Sequence, residues 1–375
     1  MKLSHSDVLI VGAGIIGAAC AYECAREGIR VTVIDKSMAG GGATAAGMAH
    51  VVVMDDSEAQ FALTRYSRQL WQEMRSELPD QVEYEQYGTI WVAADDEEMV
   101  EVKRKESFYQ KHGVATEVID PATLEKYEPY LRKGLAGGLV VPEDGVLYAP
   151  CAAKHFLERA KVLGAQVHLG SPVLKLGNGS VTTTATKFSA GLVINAAGTW
   201  AAELTSGLNI KKRKGHLLIT DRYPGFIKHQ LVELGYLKSA HSTTADSVAF
   251  NLQPRRTRQI LIGSSRQYGA EHKEVDNEIL AAMLRRAQQY MPELSGLSTI
   301  RAWTGFRAAT PDKLPLIGPW PEDERLFLAT GHEGLGITTS LGTARLLVDQ
   351  ILGRKSAIPI EPYLPARSFS EHVHA

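Results

Sequence analysis

Close to its N-terminus the chain runs Asp7-Val8-Leu9-Ile10-Val11, then Gly12-Ala13-Gly14-Ile15-Ile16-Gly17, then an apolar helix-forming stretch. The strand-like Val31-Thr32-Val33-Ile34 follows and ends at Asp35. A lone Gly-x-Gly-x-x-Gly constrains little; strand, glycines, helix, strand and acid in one unit of about 30 residues constrain a great deal. Gly12 permits the tight turn out of the strand, Gly14 lets a pyrophosphate approach the backbone, and Gly17 lets the helix pack closely on the sheet. The helix N-terminus supplies free N–H groups and partial positive charge. Asp35, 21 residues beyond Gly14, sits where a carboxylate accepts bonds from ribose hydroxyls, and a carboxylate there disfavours a 2′-phosphate. The unit reads as the nucleotide end of a dinucleotide-binding α/β domain.

A chain of 375 residues is long enough for about two domains and a large core. Hydrophobic residues at 44% and charged residues at 22% are ordinary for a soluble globular protein. A net charge of −1 gives no electrostatic case for nucleic acid or an anionic membrane. No apolar stretch reaches the roughly 18 residues needed to span a bilayer, so no transmembrane segment is expected. Cys20, Cys24 and Cys151 form no disulfide or metal pattern, and no metal is expected; Cys20 and Cys24 pack inside the first helix. The N-terminal apolar run is a strand followed by glycines rather than by a cleavage site, so a cytoplasmic, reducing location is expected.

Beyond Asp35 comes a small-residue loop, Ala39 to Met48. Helical spacing covers 57–77, a strand covers Tyr87 to Ala93, and a charged surface helix covers Asp95 to Lys111. Residues 135–149 read as paired strands around the turn Pro142-Glu143-Asp144-Gly145. A helix over 150–164 ends at Gly164, and Gln166 to Leu169 is a strand. Strand, turn and strand from Val181 lead into Asn195-Ala196-Ala197-Gly198-Thr199-Trp200. Residues 212–263 are strand-rich and read as an antiparallel sheet. A helix over 274–291, a strand over 325–329 and a last helix from Ile337 to Leu352 complete the chain. The fold class is therefore mixed α/β (α+β): a discontinuous Rossmann-like nucleotide-binding domain, residues 1–80, 145–210 and 315–375, with an inserted antiparallel-sheet substrate domain, 81–144 and 211–314.

The cofactor is FAD rather than NAD on two grounds. A regular NAD domain continues in βαβ units, whereas the loop after Asp35 is rich in glycine and alanine, which suits backbone passing close to a large planar ligand. The late Gly331–Gly336 loop is a second glycine-rich helix entry, and a helix N-terminus stabilises negative charge on a reduced flavin. A tight connection without a ligand is the bland alternative for that second loop.

In these residues the chain resembles the FAD-dependent D-amino acid oxidase family, in its glycine oxidase, sarcosine oxidase and proline dehydrogenase β-subunit branch. The carriers are Val11 to Gly17 with Asp35, the loop Gly41 to Gly47, Asn195 to Trp200, Thr304-Gly305-Phe306-Arg307 through Thr310-Pro311-Asp312 to Gly318, and Gly331-His332 to Gly336. Within the branch, Gly47 to Ser57 and Gly331 to Ser340 look most like bacterial D-hydroxyproline dehydrogenase β subunits.

The resemblance implies a flavoenzyme of amino acid catabolism that oxidises a CH–NH or CH–NH2 group, with cis-4-hydroxy-D-proline the favoured substrate, and it leaves room for partner subunits of a heteromeric dehydrogenase. It matches Gly12, Gly14, Ile16, Gly17, Asp35, Gly42, Ala43, Thr44, Gly47, Met48, Val167, Ala197, Gly198, Gly334, Gly336 and Ile337 to cofactor-binding positions, with Val167 on the segment whose backbone holds the adenine. Asp35 stands where the family usually has Glu. Gly305 stands where some sarcosine oxidases carry a flavin-tethering cysteine, so the FAD is expected to be non-covalent. Arg307 matches the arginine that grips the substrate carboxylate; read alone it is a surface arginine.

His50 and His332 are candidate bases for the substrate ammonium, the bland alternative being that each bonds backbone in its own loop. Asp55 and Asp56 read as helix caps. Lys211-Lys212-Arg213-Lys214 reads as a solvated turn or as a seat for a second phosphate. The rival activities are a stand-alone glycine, sarcosine or proline oxidase reducing oxygen, a NAD-dependent dehydrogenase, and a flavin-loaded scaffold without turnover.

Overall fold

The β-branched runs Val8–Val11 and Val31–Ile34 are buried on both faces, which parallel strands covered by helices require. The computed structural model describes residues 6–235 and 246–367. Residues 1–5, 236–245 and 368–375 lie outside the described residues; the middle stretch belongs to the strand-rich region expected over 212–263.

The first sheet runs, edge to edge, Leu316–Trp320, Asp323–Thr330, Lys187–Asn195, Ser6–Val11, Val31–Ile34, Gln166–His168. From Asp323–Thr330 onward these strands are parallel, and Leu316–Trp320 is antiparallel to its neighbour. Val173–Gly177 and Ser180–Thr183 extend Lys187–Asn195 as an antiparallel flap. The helix Ile15–Arg26 lies between the helices Ala149–Val162 and Gly336–Ile351. Its Ala18, Ala19, Cys20, Ala21, Cys24 and Ala25 are all buried, because small side chains let both neighbours approach. Glu23 is buried there too, paired with Arg26 at 2.9 Å and Arg345 at 2.8 Å.

The second sheet runs Thr299–Ala309, Lys211–Thr220, Ile260–Arg266, Ser247–Pro254, Gln230–Glu233, Thr89–Ala93, Gly137–Val141, Glu117–Ile119. It is not purely antiparallel as expected: Gln230–Glu233 and Thr89–Ala93 pair in parallel. That seam joins two separate chain segments, so no hairpin dictates strand direction. Alternation sorts the residues cleanly. Ile90, Val92, Leu231, Phe250, Leu252 and Ile262 form a core shared with residues of the helix Asn277–Tyr290. Trp91, Ala93 and Val232 face the other way, beneath Val102 and Tyr109 of the helix Asp96–Lys111.

Four local expectations are corrected. The strands flanking Pro142–Gly145 do not pair with each other. Gly137–Val141 joins the second sheet, and Gly145–Val146 pairs with His50–Val51. The buried Asp144 redirects the chain, accepting from Arg68 Nη1 at 2.9 Å and from the Val53 amide at 3.3 Å. The helix Asp96–Lys111 is not wholly a surface helix: Lys105 is fully buried and forms an ion pair with Asp55. Asp55 is thereby an ion-pair partner rather than a cap, and Ser57 caps the helix Glu58–Met74, its Oγ accepting from Gln60 N at 3.1 Å. Lys211 to Lys214 open a strand instead of forming a solvated turn, with Arg213 and Lys214 buried.

Candidate active site

The ends of the parallel strands and the exposed half of the second sheet enclose one cavity of about 580 Å³. It is within the range of cofactor sites, roughly 300–1,000 Å³. At its nucleotide end Gly12 has φ +114°, and a Cβ there would lie 2.4 Å from the Ala196 carbonyl oxygen. Asp35 stands at the end of the second strand. Its Oδ2 accepts from Ala13 N at 2.6 Å and its Oδ1 from Ser37 N at 2.7 Å. Thr44 Oγ1 accepts from Ile15 N at 3.0 Å, tying the small-residue loop to the start of the first helix. The Lys36 ammonium sits 3.7 Å from the centre of the Trp200 ring.

Of the residues matched to the cofactor, Gly12, Gly14, Ile16, Asp35, Gly42, Ala43, Thr44, Gly47, Met48, Ala197, Gly198, Gly334, Gly336 and Ile337 all line this cavity. Gly17 and Val167 do not. A Cβ on Gly17 would fall 1.9 Å from the Gly12 carbonyl oxygen, so Gly17 serves the helix–strand packing. Val167 sits in the short edge strand Gln166–His168 and packs into the core beside Ala165 and Val33. The cavity wall is supplied six residues later by Val173.

At the other end Arg307 projects from the strand Thr299–Ala309, its Nη1 donating to the Ser265 carbonyl at 2.9 Å. Two glycines make its place. A Cβ on Gly215 would lie 2.5 Å from Nη1, and one on Gly334 3.1 Å from Nε. Arg213 is the direct cross-strand partner of Arg307, and two like charges so placed repel. Glu333 offsets this by pairing with Arg213, both side chains being buried.

Neither candidate histidine is held by backbone in its own loop. His50 Nδ1 contacts Gln230 Oε1, with Gln253 Nε2 at 3.2 Å, both on the second sheet. Burial pushes its pKa below the usual imidazole value. His332 is bonded through Nε2 to Thr343 Oγ1 at 3.0 Å, and burial lowers its pKa to about 3. Both line the cavity, and both are neutral at pH 7. Sequence reasoning missed His216, which also lines it. His216 Nε2 accepts from Asp276 N at 3.0 Å, and Nδ1 lies 3.0 Å from Ser265 Oγ. No spacing motif marks it.

The model of the FAD dependent oxidoreductase family, DAO, matches residues 7–350. The chain belongs to that family. Among curated DAO relatives, glycine oxidase of Geobacillus kaustophilus is 27% identical, covering 98% of this chain and 97% of its own length. Hydrogen cyanide synthase subunit HcnC of Pseudomonas aeruginosa is 28% identical over 96% of each chain. Among solved structures, L-proline dehydrogenase from P. horikoshii superposes with TM-score 0.87 at 25% identity over 99% of each chain. The glycine oxidase crystal structure from Geobacillus kaustophilus gives 0.85 at 26% identity, covering 96% of this chain and 98% of that one.

This DAO protein is an FAD-dependent amino acid oxidoreductase of the glycine oxidase and proline dehydrogenase type, acting on a CH–NH or CH–NH2 group. The cavity suits FAD on its own terms. Backbone without Cβ atoms lines it at Gly12, Gly14, Gly42 and Gly336, and a carboxylate and two helix N-termini stand at separate places along it. No helix among the described residues is long and apolar enough to cross a membrane.

Proposed function

We propose that this chain is the catalytic subunit of a dehydrogenase that oxidises cis-4-hydroxy-D-proline, or a close imino acid, to the corresponding imine. The observation that carries the reading is the seat of Arg307: a guanidinium on the cavity wall, with glycines on both sides where any Cβ would crowd it. A planar guanidinium takes a carboxylate through two parallel bonds, which sets both position and orientation. Orientation of this kind converts an encounter into a directed reaction. FAD, when bound, supplies a hydride acceptor for the substrate Cα–H. His50 is the base that takes the ammonium proton, so that the amine reacts in its free form. His332, bonded to Thr343, holds its loop at the start of the helix Gly336–Ile351.

The FAD is non-covalent in this reading. Gly305 occupies the tethering position, and even a Cβ there would lie 2.4 Å from Ala46 Cβ. The FAD-binding unit comprises 1–80, 145–210 and 315–375, and the substrate unit 81–144 and 211–314. Every strand of the first sheet falls in the former segments and every strand of the second in the latter. Partner chains fit the reading because HcnC is named as a subunit. A cytoplasmic location fits three free cysteines.

The test is anaerobic addition of cis-4-hydroxy-D-proline to the purified yellow holoenzyme. Loss of the flavin band near about 450 nm supports the reading. A flavin that stays oxidised with this substrate but bleaches with glycine or sarcosine overturns the substrate assignment in favour of a glycine oxidase-like activity.

A further inference from the structure

We propose that His216 is a positioning residue for Arg307: through Ser265 it fixes the carbonyl that holds the guanidinium, and so sets how firmly the site grips a substrate carboxylate. The inference rests on the reading of Arg307 as the carboxylate anchor. His216 lies on the strand Lys211–Thr220 and Ser265 on the neighbouring strand Ile260–Arg266. Both residues are buried, and His216 lines the cavity.

The pairing of these two strands is interrupted beside Arg307. Leu218 pairs with Ile262, and pairing resumes at Lys214 and Gln267. Between them four residues, Gly263 to Arg266, stand opposite three, Gly215 to Leu217. The extra residue makes a β-bulge, a device that re-aims groups next to active sites. A ladder bond from the His216 N–H would go to a backbone carbonyl. Here it goes to Ser265 Oγ at 2.8 Å. The Ser265 carbonyl accepts from Arg307 Nη1 at 2.9 Å, the guanidinium having passed over Gly215.

The His216 ring completes the brace. Its Nε2 accepts from the Asp276 backbone N–H at 3.0 Å. A backbone N–H only donates, so the neutral ring carries its hydrogen on Nδ1 and gives it to Ser265 Oγ, 3.0 Å away. The ring is neutral at pH 7. Burial, and then the cations Lys214 and Arg307, lower its pKa below the usual imidazole value, against the opposing pull of Asp276 and Asp246. Asp276 is itself fixed as the cap of the helix Asn277–Tyr290, its Oδ1 accepting from Glu278 N at 3.0 Å and Ile279 N at 3.2 Å. Contacts therefore run from that helix through His216 and Ser265 to Arg307, and the guanidinium is held before a substrate arrives. An anchor held in advance loses less freedom on binding.

The test is anaerobic bleaching of the holoenzyme's flavin by cis-4-hydroxy-D-proline, or by glycine where that is the better substrate. It reads the apparent substrate Kd and the limiting rate separately, and it follows slow variants over hours. His216→Ala removes both ring bonds and is expected to weaken the apparent Kd about ten-fold, with a smaller change in limiting rate. Ser265→Ala is expected to do the same. His216→Asn places an amide nitrogen near the Nδ1 position, keeps a donor to Ser265, and is expected to recover most of the loss. Combined with Arg307→Met, His216→Ala is expected to change the ratio of rate to Kd by less than about two-fold, because no guanidinium is left to position. An unchanged flavin spectrum certifies each variant's fold.

A His216→Ala loss of the same size with Arg307 present and with Arg307 replaced overturns the inference, since His216 then acts independently of the anchor. An unchanged Kd in both His216→Ala and Ser265→Ala overturns it as well. A His216→Asn variant as weak as His216→Ala overturns the route through Ser265. If Arg307→Met alone bleaches as readily as wild type, the anchor reading falls and the inference with it. A slow Arg307→Met beside an unaffected His216→Ala removes the inference and leaves the anchor standing.

Discussion

The Nδ1 of His50 is bonded to the side-chain oxygen of Gln230, 180 positions away, and this contact ties the imidazole to the second sheet. Gln230 Nε2 donates to the Gly145 carbonyl at 3.2 Å, so its oxygen is the accepting end. Gln253 Nε2, whose own side-chain oxygen accepts from Arg255 Nη1 at 3.1 Å, stands 3.2 Å from the same nitrogen, so two side chains of the second sheet hold the imidazole in place. A buried imidazole held in one orientation suits the proposed deprotonation of the amine.

Removing the proposed base is expected to have two consequences. His50→Ala is expected to lower kcat/KM by roughly 10²–10⁴-fold. It also removes the acid limb of the wild-type pH profile, which lies below pH 6.5 because burial lowers the His50 pKa. The Gln230 bond works against burial and favours the protonated ring. Gln230→Leu is accordingly expected to move the acid limb further down in pH as well as to slow turnover. Steady-state kinetics from about pH 5 to 9 read both effects, and an unmoved acid limb in both variants would remove His50 from the proton transfer.

Arg307→Met keeps length and apolar volume but deletes the fork. Loss of a charge-assisted bidentate contact is expected to cost at least about 10³-fold in kcat/KM. The flavin spectrum should stay that of the wild type, since Arg307 stands at the substrate end of the cavity. Arg307→Lys should recover only part of the loss, because an ammonium is a point charge without the planar fork. Equal activity in Arg307→Met and wild type would end the anchor assignment.

Gly12→Ala tests the nucleotide end separately. The new Cβ would stand 2.4 Å from the Ala196 carbonyl oxygen, on a residue whose φ is +114°. Backbone must move at the mouth of the cofactor cleft, so the protein is expected to purify with little flavin. The ratio of flavin absorbance to protein absorbance measures this directly. A fully yellow Gly12→Ala protein would show that the turn tolerates the displacement.

Much of the nucleotide end was legible in the sequence because its parts are local. Strand, glycines, helix and Asp35 lie within one supersecondary unit, so spacing alone carries the geometry. Arg307 was reached only through its motif, since no periodicity separates a wall arginine from a surface one. The side chains that hold His50, Gln230 and Gln253, come from strands far from it in the chain. Their convergence depends on register, which a single sequence does not display. Val167 packs its side chain into the core from the short strand Gln166–His168, while Val173 of the next strand lines the cavity, a difference that two short apolar segments do not display in sequence. Lys105 and Lys214 read as solvent residues and are buried, since charge alone says nothing of a partner such as Asp55.

His332 links the site to the stability of the whole molecule. Its pKa falls to about 3 through burial alone, while an imidazole in the unfolded chain titrates near 6.5. Between those values the unfolded state binds the extra proton, so stability rises with pH across that window. The contribution is complete above about pH 6.5 and is lost progressively as pH falls toward 3. At pH 5 the loss is about 2 kcal/mol for this one group. His332→Gln replaces the ring with a neutral amide that does not titrate. It is expected to lower stability at pH 7, since the Thr343 bond and ring packing are disturbed. It is also expected to flatten the decline between pH 7 and pH 5 by about 2 kcal/mol. Urea unfolding of both holoenzymes at the two pH values measures the difference, and parallel declines would mean that His332 is not what destabilises the enzyme in acid.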